Sequence, residues 1–502
     1  MKEHLPILLL ILPLIAVPLI AGLSFSSTWI NRLSVLTVFI TGWVWGLETL
    51  EGVLANGPWF YNLGGWAAPW GIELVLTPFT VFLAGWIWLI GMSTWFYGLP
   101  YWMLRQKESV KEGLFNAFLF LLIGSVLGLL FLRDLLSLYF CLETVLAAAA
   151  GLIVVGQAKN WRDGFYFFFW GTAGSSFLLL AAFFLYTSTG TLNLDDLLSQ
   201  IFISKNAAVV LTSSLLGVLA FVVPLTFPLP TFFSRLVGQT PSFVMGLLSS
   251  VLVRSLVYVL FILLFFTLNL PGFHQSIWLL GTEYLLISFL FGIFVLAFRQ
   301  NDFQQSIAFI SVAQLGFLFV GFLLGNKSAL TGTLLELLNQ LLMVSGLFFV
   351  AGTLHSTPGA LPFSRLVGLG RQRPWTGLAL IVFVASLVGI PPTGGSLGKW
   401  YLIQGALERN NWVLLVLVSA AVLLNLFYFI KLIILIYEHR DSATADTSSI
   451  AAKVPILILA LGVLILGIFH QTIIERFIEP ALPKAYQNIS MPNVPFLGKQ
   501  VE

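Results

Sequence analysis

Charged and amide side chains interrupt the long apolar stretches of this sequence at a small number of positions. A charge at the centre of a bilayer costs roughly 2.5–3.5 kcal/mol on insertion scales, so each such residue indicates a functional site. Carboxylates and amines buried together can pass protons along a hydrated chain, because each changes the protonation of the other. The candidate residues for ion translocation are Glu143, Arg254, Glu336, Asn339, Gln340 and Lys399.

The surroundings of these candidates indicate different roles. Glu143 has no charged residue close to it in sequence, and Lys399 follows a predicted helix break, so both are assigned to the ion path. Arg254 keeps its proton at any working pH and is interpreted as a residue that sets the local field or forms an ion pair. Glu336 lies in a run flanked by polar residues, which leaves its depth open. A structural interpretation is preferred for three residues that can reach an interface: Glu283, Lys431 and His470.

The composition requires that lipid surrounds most of the chain. Only 9% of the 502 residues are charged, 58% are hydrophobic and the mean hydropathy is +0.97. Soluble globular proteins carry about 25% charged residues, so a soluble multi-domain protein is excluded. The net charge of +3 gives no indication of nucleic-acid binding. The lipid bilayer is therefore the first predicted partner.

Fourteen apolar runs are long enough to cross a bilayer, which needs about 20 residues per helix. They predict an all-α polytopic membrane protein with a single transmembrane domain over residues 1–502. The first run is interpreted as a true span rather than a signal peptide, because no clear cleavage site follows it. The predicted spans are residues 5–24, 31–48, 74–97, 113–132, 135–157, 164–187, 207–227, 242–267, 277–298, 304–324, 329–353, 374–409, 411–437 and 452–474.

Prolines lie inside two of these spans. Pro224 and Pro228 interrupt span seven, and Pro391 and Pro392 interrupt span twelve. In lipid, the carbonyl groups freed by a proline need partners in the protein or in a water-filled cavity. Discontinuous helices in both halves of a membrane protein are typical of an inverted-repeat transporter, although prolines can also simply kink packed helices. The two predicted five-helix repeats are residues 113–267 and 277–437.

The distribution of charge between loops predicts the orientation. Basic residues are more frequent in the loops that lie inside when the N-terminus is outside. The acid-rich stretches at 48–73 and 195–196 then fall outside. Fourteen spans return the C-terminus to the same side, so both termini are predicted to lie outside. The predicted location is the cell (inner) membrane or a thylakoid membrane.

The sequence predicts no cofactor and no metal site on this chain. Cys141 is the single cysteine, which excludes a disulfide and an iron–sulfur cluster held by this chain alone. Of five histidines, only one lies well inside an apolar run, so no axial haem pair is predicted. A phosphate-binding loop and a nucleophile–base motif are both lacking, so no catalytic residue is predicted.

Five segments carry motifs that occur together in one type of membrane protein. The most specific is Ser386–Lys399, with the sequence Ser-Leu-Val-Gly-Ile-Pro-Pro-Thr-Gly-Gly-Ser-Leu-Gly-Lys. The others are Leu63–Ile72, Asp134 with Glu143, Pro224–Pro230 with Thr240–Ser242, and Ser311–Gly316. Over nearly the whole chain, they resemble the proton-conducting, antiporter-like subunits of respiratory complex I, membrane-bound hydrogenases and Mrp-type cation/proton antiporters.

The resemblance implies an ion path through Glu143, lysines on helices seven and eight, a histidine on helix eleven, and Lys399. The sequence departs from that pattern at three positions. Leu219 replaces the helix-seven lysine, Arg254 the helix-eight lysine and Gln340 the histidine. Leucine carries no charge to act on Glu143, and arginine does not readily release its proton.

The function implied by the resemblance is that of an ion-translocating membrane subunit in a multi-subunit complex, with other membrane subunits as partners. The implied ions are protons, with Na+ as the exchanged cation in an antiporter. Membership of an NADH- or ferredoxin:quinone oxidoreductase is left open. The alternative is a degenerate, non-conducting scaffold subunit of a related redox or carbon-uptake complex, which the leucine at position 219 motivates.

Overall fold

The computed structural model shows a chain built mainly from long apolar helices. Most of predicted span seven, including Pro224 and Pro228, most of predicted span nine, and Glu283 lie outside the described residues. The described residues are 2–25, 27–105, 108–156, 161–197, 236–268, 292–354, 361–438 and 449–482, with six isolated positions between 200 and 220.

Helices satisfy their backbone hydrogen bonds internally, which the interior of a bilayer requires. In chain order the helices are α1 (Leu5–Leu23), α2 (Thr28–Asn56), α3 (Pro78–Met103), α4 (Ser109–Phe131), α5 (Leu135–Gly156), α6 (Trp161–Thr189), α7 (Ser242–Leu247), α8 (Val253–Leu268), α9 (Phe303–Ala313), α10 (Leu315–Leu324), α11 (Lys327–Thr353), α12 (Leu369–Gln372), α13 (Pro374–Val388), α14 (Gly394–Glu408), α15 (Trp412–Tyr437), α16 (Ile450–Ile468) and α17 (His470–Ile473). A π-helical turn, Leu248–Leu252, joins α7 to α8, and a second, Ile474–Ile478, follows α17. Short 3-10 turns are Lys2–His4, Leu63–Gly65, Phe363–Leu366 and Glu479–Ala481.

Eleven helical segments of the described chain are long and apolar enough to cross a membrane. Helices α7 and α8 count together as one of these segments, as do α9 and α10. The prediction of an all-α polytopic membrane protein is therefore confirmed. The count of fourteen spans and the two inverted repeats remain predictions.

The predicted third span begins too early, because its first residues form a strand. Strand β1 (Trp59–Asn62) pairs antiparallel with β2 (Glu73–Leu76), with Trp59 opposite Leu76. Helix α3 starts only at Pro78, where Thr77 caps it through reciprocal hydrogen bonds with Thr80. A short hairpin thus precedes the helix where the sequence predicts the first turns of a span.

Helix α11 lies at the centre of the described bundle. Its side chains are buried from Lys327 to Ala351, polar ones included. Helices α10, α13, α14 and α16 pack around it. Helices α2 and α15, in contrast, expose a large apolar face, as expected for helices that contact lipid. Polar side chains inside the bundle therefore need hydrogen-bond partners from the protein or from water.

The predicted interruption of span twelve is observed. Helix α13 ends at Val388 and α14 begins at Gly394, so Pro391 and Pro392 lie between two helices. Gly389 has a φ of 96°, a left-handed conformation that favours glycine. The predicted twelfth span is therefore two shorter helices, α13 and α14. Both helices pack against α11.

Candidate functional site

A buried ion pair forms where the interrupted span meets the central helix. Lys399 Nζ lies 3.1 Å from Glu336 Oε1, and the two side chains are 3% and 0% exposed. Lys399 comes from α14, just after the break, and Glu336 from the middle of α11. Lys399 also lies over the Phe317 ring at 5.0 Å. The depth of Glu336, left open by the sequence, is full burial.

Small residues allow the two helices to approach closely enough for this contact. A Cβ atom added at Gly398 would lie 2.7 Å from Glu336 Oε2, and one at Gly332 would lie 2.7 Å from the Gly398 carbonyl oxygen. Lys399 therefore leaves α14 directly against α11. At the break itself, a Cβ at Gly389 would come within 3.1 Å of the Lys399 Cδ atom.

The hydroxyl of Ser386 joins the two half-helices to Asn339. Ser386 Oγ donates to Asn339 Oδ1 at 2.5 Å and accepts a hydrogen bond from the Gly395 backbone N–H at 3.3 Å. The Ser386 carbonyl oxygen, close to the end of α13, is 3.4 Å from Lys399 Nζ. Asn339 therefore positions the break, and the lysine ammonium satisfies one of the carbonyl groups near it.

Gln340 extends this network toward the joint between α9 and α10. Its Nε2 group donates to Glu336 Oε1 at 3.2 Å and to the Gln314 carbonyl oxygen at 2.8 Å. Gln314 is the residue between the two helices, and its own side chain is fully buried. The amide of Gln340 thus connects the carboxylate to the joint between α9 and α10.

Arg254 lies close to the same joint between α9 and α10, where it contacts Ser311. Its guanidinium donates to the Ser311 carbonyl oxygen at 2.8 Å, to the Ser311 hydroxyl at 3.3 Å and to the Ser249 carbonyl oxygen. Ser249 belongs to the π-helical turn and Ser311 to the last turn of α9, where regular helical hydrogen bonding is perturbed. The planar guanidinium therefore bridges two irregular helix segments, and its charge acts on Glu336.

Glu143 is separate from this network in the described contacts. It is half-buried on α5, and its two carboxylate oxygens accept hydrogen bonds from the hydroxyls of Thr172, at 3.3 Å, and Ser175 of α6. The sequence gives no indication of these donors, because they lie about thirty residues away on another helix. Hydroxyl groups are the immediate partners of Glu143, in keeping with the absence of lysine at position 219.

Several buried polar atoms of the network have no hydrogen-bond partner among the described residues. Unsatisfied buried groups of this kind cost about 1–3 kcal/mol each, so polar interiors are normally hydrated. Their positions follow the path from α8 across α11 to the break. The atoms are Arg254 Nε, Gln314 Oε1, Glu336 Oε2, Asn339 Nδ2 and Gln340 Oε1.

The structure brings together five of the six residues predicted for ion translocation and leaves Glu143 apart. Among the partners around the ion pair, sequence reasoning missed Ser386, Phe317 and the side chain of Gln314. Ser386 and Gln314 lie within two of the sequence motifs, but no spacing rule assigns them these contacts.

Lys431 and His470 lie outside the network. Lys431 is exposed and its Nζ atom lies 4.2 Å from the Phe363 ring centre, and His470 Nδ1 is 2.9 Å from the Gly467 carbonyl oxygen. Within the described part of the chain, no group of three His, Cys, Asp or Glu side chains could hold a metal ion.

Comparison with known proteins identifies relatives of this chain. The chain is 32% identical to NADH-quinone oxidoreductase subunit N from Desulforudis audaxviator, over 96% of this chain and 99% of that protein. It is 25% identical to the D-type subunit of the Na(+)/H(+) antiporter from Alkalihalophilus pseudofirmus, over 94% and 96% of the two chains. Its fold matches a chain of the Mrp complex from Dietzia sp. DQ12-45-1b with a TM-score of 0.81 at 19% identity, over 95% and 96% of the two chains.

A family assignment follows from these matches. The family model described as the membrane part of NADH:quinone oxidoreductases and Mrp antiporters matches residues 133–425, which include the whole buried network. The resemblance identified from the sequence motifs is thereby confirmed. The chain is a multi-pass membrane protein that belongs to the NADH:quinone oxidoreductase/Mrp antiporter membrane-subunit family.

Proposed function

We propose that this protein is an ion-translocating membrane subunit of a multi-subunit complex, and that it moves protons or exchanges protons for another cation such as Na+. The observation that carries the proposal is the 3.1 Å contact between Lys399 and Glu336, inside the bundle and beside a helix break. The names of its relatives, an oxidoreductase subunit and a Na(+)/H(+) antiporter subunit, support the same class of activity.

The ion pair has two forms of equal net charge. Transfer of one proton from the Lys399 ammonium to the Glu336 carboxylate gives an amine and a carboxylic acid, and the reverse transfer restores the pair. Burial disfavours the charged form while the partner favours it, so these effects oppose each other at this site. A pair balanced in this way can accept a proton from one side and release it to another.

The helix break supplies the element that can switch this pair. Lys399 of α14 contacts Glu336 on α11 and, across the break, the Ser386 carbonyl oxygen on α13. A shift of α14 relative to α13 lengthens one of these contacts without unfolding either helix, since the residues between them are not helical. Glu336 and Lys399 then exchange protons with the hydrated path instead of with each other.

Arg254 and Glu143 have distinct roles in this proposal. Arg254 keeps a fixed positive charge near Glu336 and does not itself carry the transported proton. Glu143, with its two hydroxyl donors, is a separate protonatable site in the first half of the chain. Asn339 and Gln340 orient Ser386 and Glu336 and hold bridging water.

A second candidate function is a non-conducting scaffold subunit. The observation that favours it is Leu219, which offers no charge to Glu143 and is 40% exposed. In that case, Glu143 and the Glu336–Lys399 pair contribute to stability and assembly but not to ion movement.

Ion flux in vesicles that contain the whole complex separates these candidates. We expect Glu336→Gln and Lys399→Met each to reduce proton flux at least about tenfold, equivalent to about 1.4 kcal/mol in the barrier. Glu48→Gln, an exposed carboxylate on α2, is the matched control and keeps normal flux. Normal flux in both pair variants, in complexes assembled to the normal level, contradicts the proposal and favours the scaffold.

The proposal includes a location and an orientation. The protein functions with other membrane subunits in a lipid bilayer, either the cell membrane or a thylakoid membrane, with both termini outside. Cysteine labelling of the loop at 361–373 in vesicles of known sidedness tests the orientation, because this basic loop is then inside. Labelling from the outer face alone contradicts it.

A further inference from the structure

A second row of polar side chains extends from the buried network to helix α15. Gln314 Nε2 donates to Asn425 Oδ1 at 3.4 Å, and the Tyr428 hydroxyl, one turn further along α15, accepts from Ser306 Oγ at 3.2 Å. All four side chains are buried. We name this set, Gln314, Asn425, Tyr428 and Ser306, the side branch. It joins the ion pair through Gln340, which donates to the Gln314 carbonyl oxygen.

The side branch leads to one end of the bundle. Ser306 lies in the first turn of α9, and the backbone N–H of Phe303 donates to the Leu361 carbonyl oxygen at 2.7 Å. On α15, Lys431 follows Tyr428 by one turn, is exposed and lies over Phe363. Both helices of the branch therefore reach the segment 361–366.

Asn425 has no evident structural reason to lie in this helix. It is 1% exposed in the middle of α15, a 26-residue helix that is otherwise almost entirely apolar. A polar residue inside a membrane helix is expensive and is functional by default. Its Nδ2 group and the Gln314 Oε1 atom have no hydrogen-bond partner among the described residues. These two atoms offer a donor and an acceptor to a bridging water molecule.

We propose that the side branch is a water-filled route for protons between the Glu336–Lys399 pair and the aqueous phase at the 361–366 end of the bundle. This inference rests on the proposed function and adds the route by which protons reach the pair. Each water or hydroxyl along the route accepts a proton on one side as it releases one on the other, so no net charge remains behind. The branch has no carboxylate, which disfavours a metal cation as the species carried.

Thiol accessibility tests hydration without depending on transport. In whole complexes with Cys141→Ala as background, we expect Asn425→Cys to react with a membrane-impermeant methanethiosulfonate reagent from the 361–366 side only. Val418→Cys is the matched control, since it is buried on the same face about two turns toward the other end. Phe427→Cys, on the exposed face of α15, controls for lipid-facing positions.

The expected difference between the Asn425→Cys and Val418→Cys rates is at least about tenfold, equivalent to about 1.4 kcal/mol. Tyr428→Cys is a second reporter if Asn425→Cys reduces assembly. Equal and slow reaction at residues 425, 428 and 418 overturns the inference, as does reaction of Asn425→Cys from the opposite side alone.

Proton flux gives an independent measurement. Asn425→Leu, which fills the site with an apolar side chain, is expected to lower flux about tenfold, whereas Asn425→Ser, which leaves room for water, keeps most of it. If Glu336→Gln abolishes flux and Asn425→Leu does not, the side branch is wrong and the proposed function stands. If Glu336→Gln retains normal flux, the proposed function is wrong, and the accessibility result alone decides whether the branch is hydrated.

Discussion

Gly398 lies directly against the carboxylate of Glu336. A methyl group at this glycine would come within 2.7 Å of Glu336 Oε2 and within 3.0 Å of the Glu336 Cβ atom. The neighbouring residue, Lys399, is the partner of that carboxylate at 3.1 Å. The spacing between α14 and α11 at this glycine therefore fixes the geometry of the ion pair.

Gly398→Ala is expected to disturb the pair without removing either charge. Overpacking a close helix contact costs about 1–3 kcal/mol, and here the added atom displaces the carboxylate itself. We expect a lower midpoint of thermal unfolding and at least about a tenfold loss of proton flux. Flux in vesicles and thermal unfolding of the purified complex are the measurements.

Gly85→Ala in α3 is the control for this change, because a Cβ atom there meets no atom within 4 Å. It is expected to preserve flux and to maintain or raise stability, since alanine is favoured over glycine in helices by about 0.5–1 kcal/mol. A Gly398→Ala variant that behaves like Gly85→Ala would show that the spacing of α14 and α11 does not control the pair.

A double-mutant cycle separates the stability of the ion pair from its function. Glu336→Gln alone leaves the Lys399 charge without its partner, which costs about 3–5 kcal/mol for a buried pair. The double variant Glu336→Gln/Lys399→Met removes both charges and is expected to recover most of that stability while flux stays lost. Thermal unfolding and flux are measured on the same preparations. Recovery of flux in the double variant would mean that the pair is only structural.

Arg254 is expected to have two roles: its guanidinium holds two helix segments together, and its charge acts on Glu336. Two substitutions distinguish these roles. Arg254→Lys keeps the positive charge but loses the planar group that bridges the Ser249 and Ser311 carbonyl oxygens, so stability falls by about 1–3 kcal/mol while most flux remains. Arg254→Met loses both and is expected to reduce flux strongly. Equal flux in the lysine and methionine variants would exclude a role for the charge.

Sequence reasoning predicted the class of fold and selected five residues that the structure brings together, because those features depend on local properties. Low charge and long apolar runs identify membrane helices directly, and prolines 391 and 392 identify an interruption that the structure places between Val388 and Gly394. Charged residues within apolar runs are rare enough that Glu336 and Lys399 could be selected individually.

The pairing of those residues could not be predicted, because it depends on how helices approach one another. Glu336 and Lys399 are 63 residues apart, and only the glycine contact between α11 and α14 brings them together. The roles of Gln314 and Ser386 were missed for the same reason, since their partners Asn425 and Asn339 lie on other helices. The hairpin at 59–76 was missed because its second strand, Glu-Leu-Val-Leu, is as apolar as the start of a helix.

The first half of the chain provides the last test, because Glu143 has hydroxyl partners, and Leu219 lies where the resemblance implies a lysine. If Glu143 conducts protons, Glu143→Gln lowers flux, and Ser175→Ala, which removes one donor, has a smaller effect of about 1 kcal/mol, or fivefold. Leu219→Lys then changes flux only while Glu143 is present, because its charge acts through that carboxylate. Flux of the single and double variants is the measurement. A normal rate in Glu143→Gln, together with a change caused by Leu219→Lys in both backgrounds, would show that Glu143 is not a proton site.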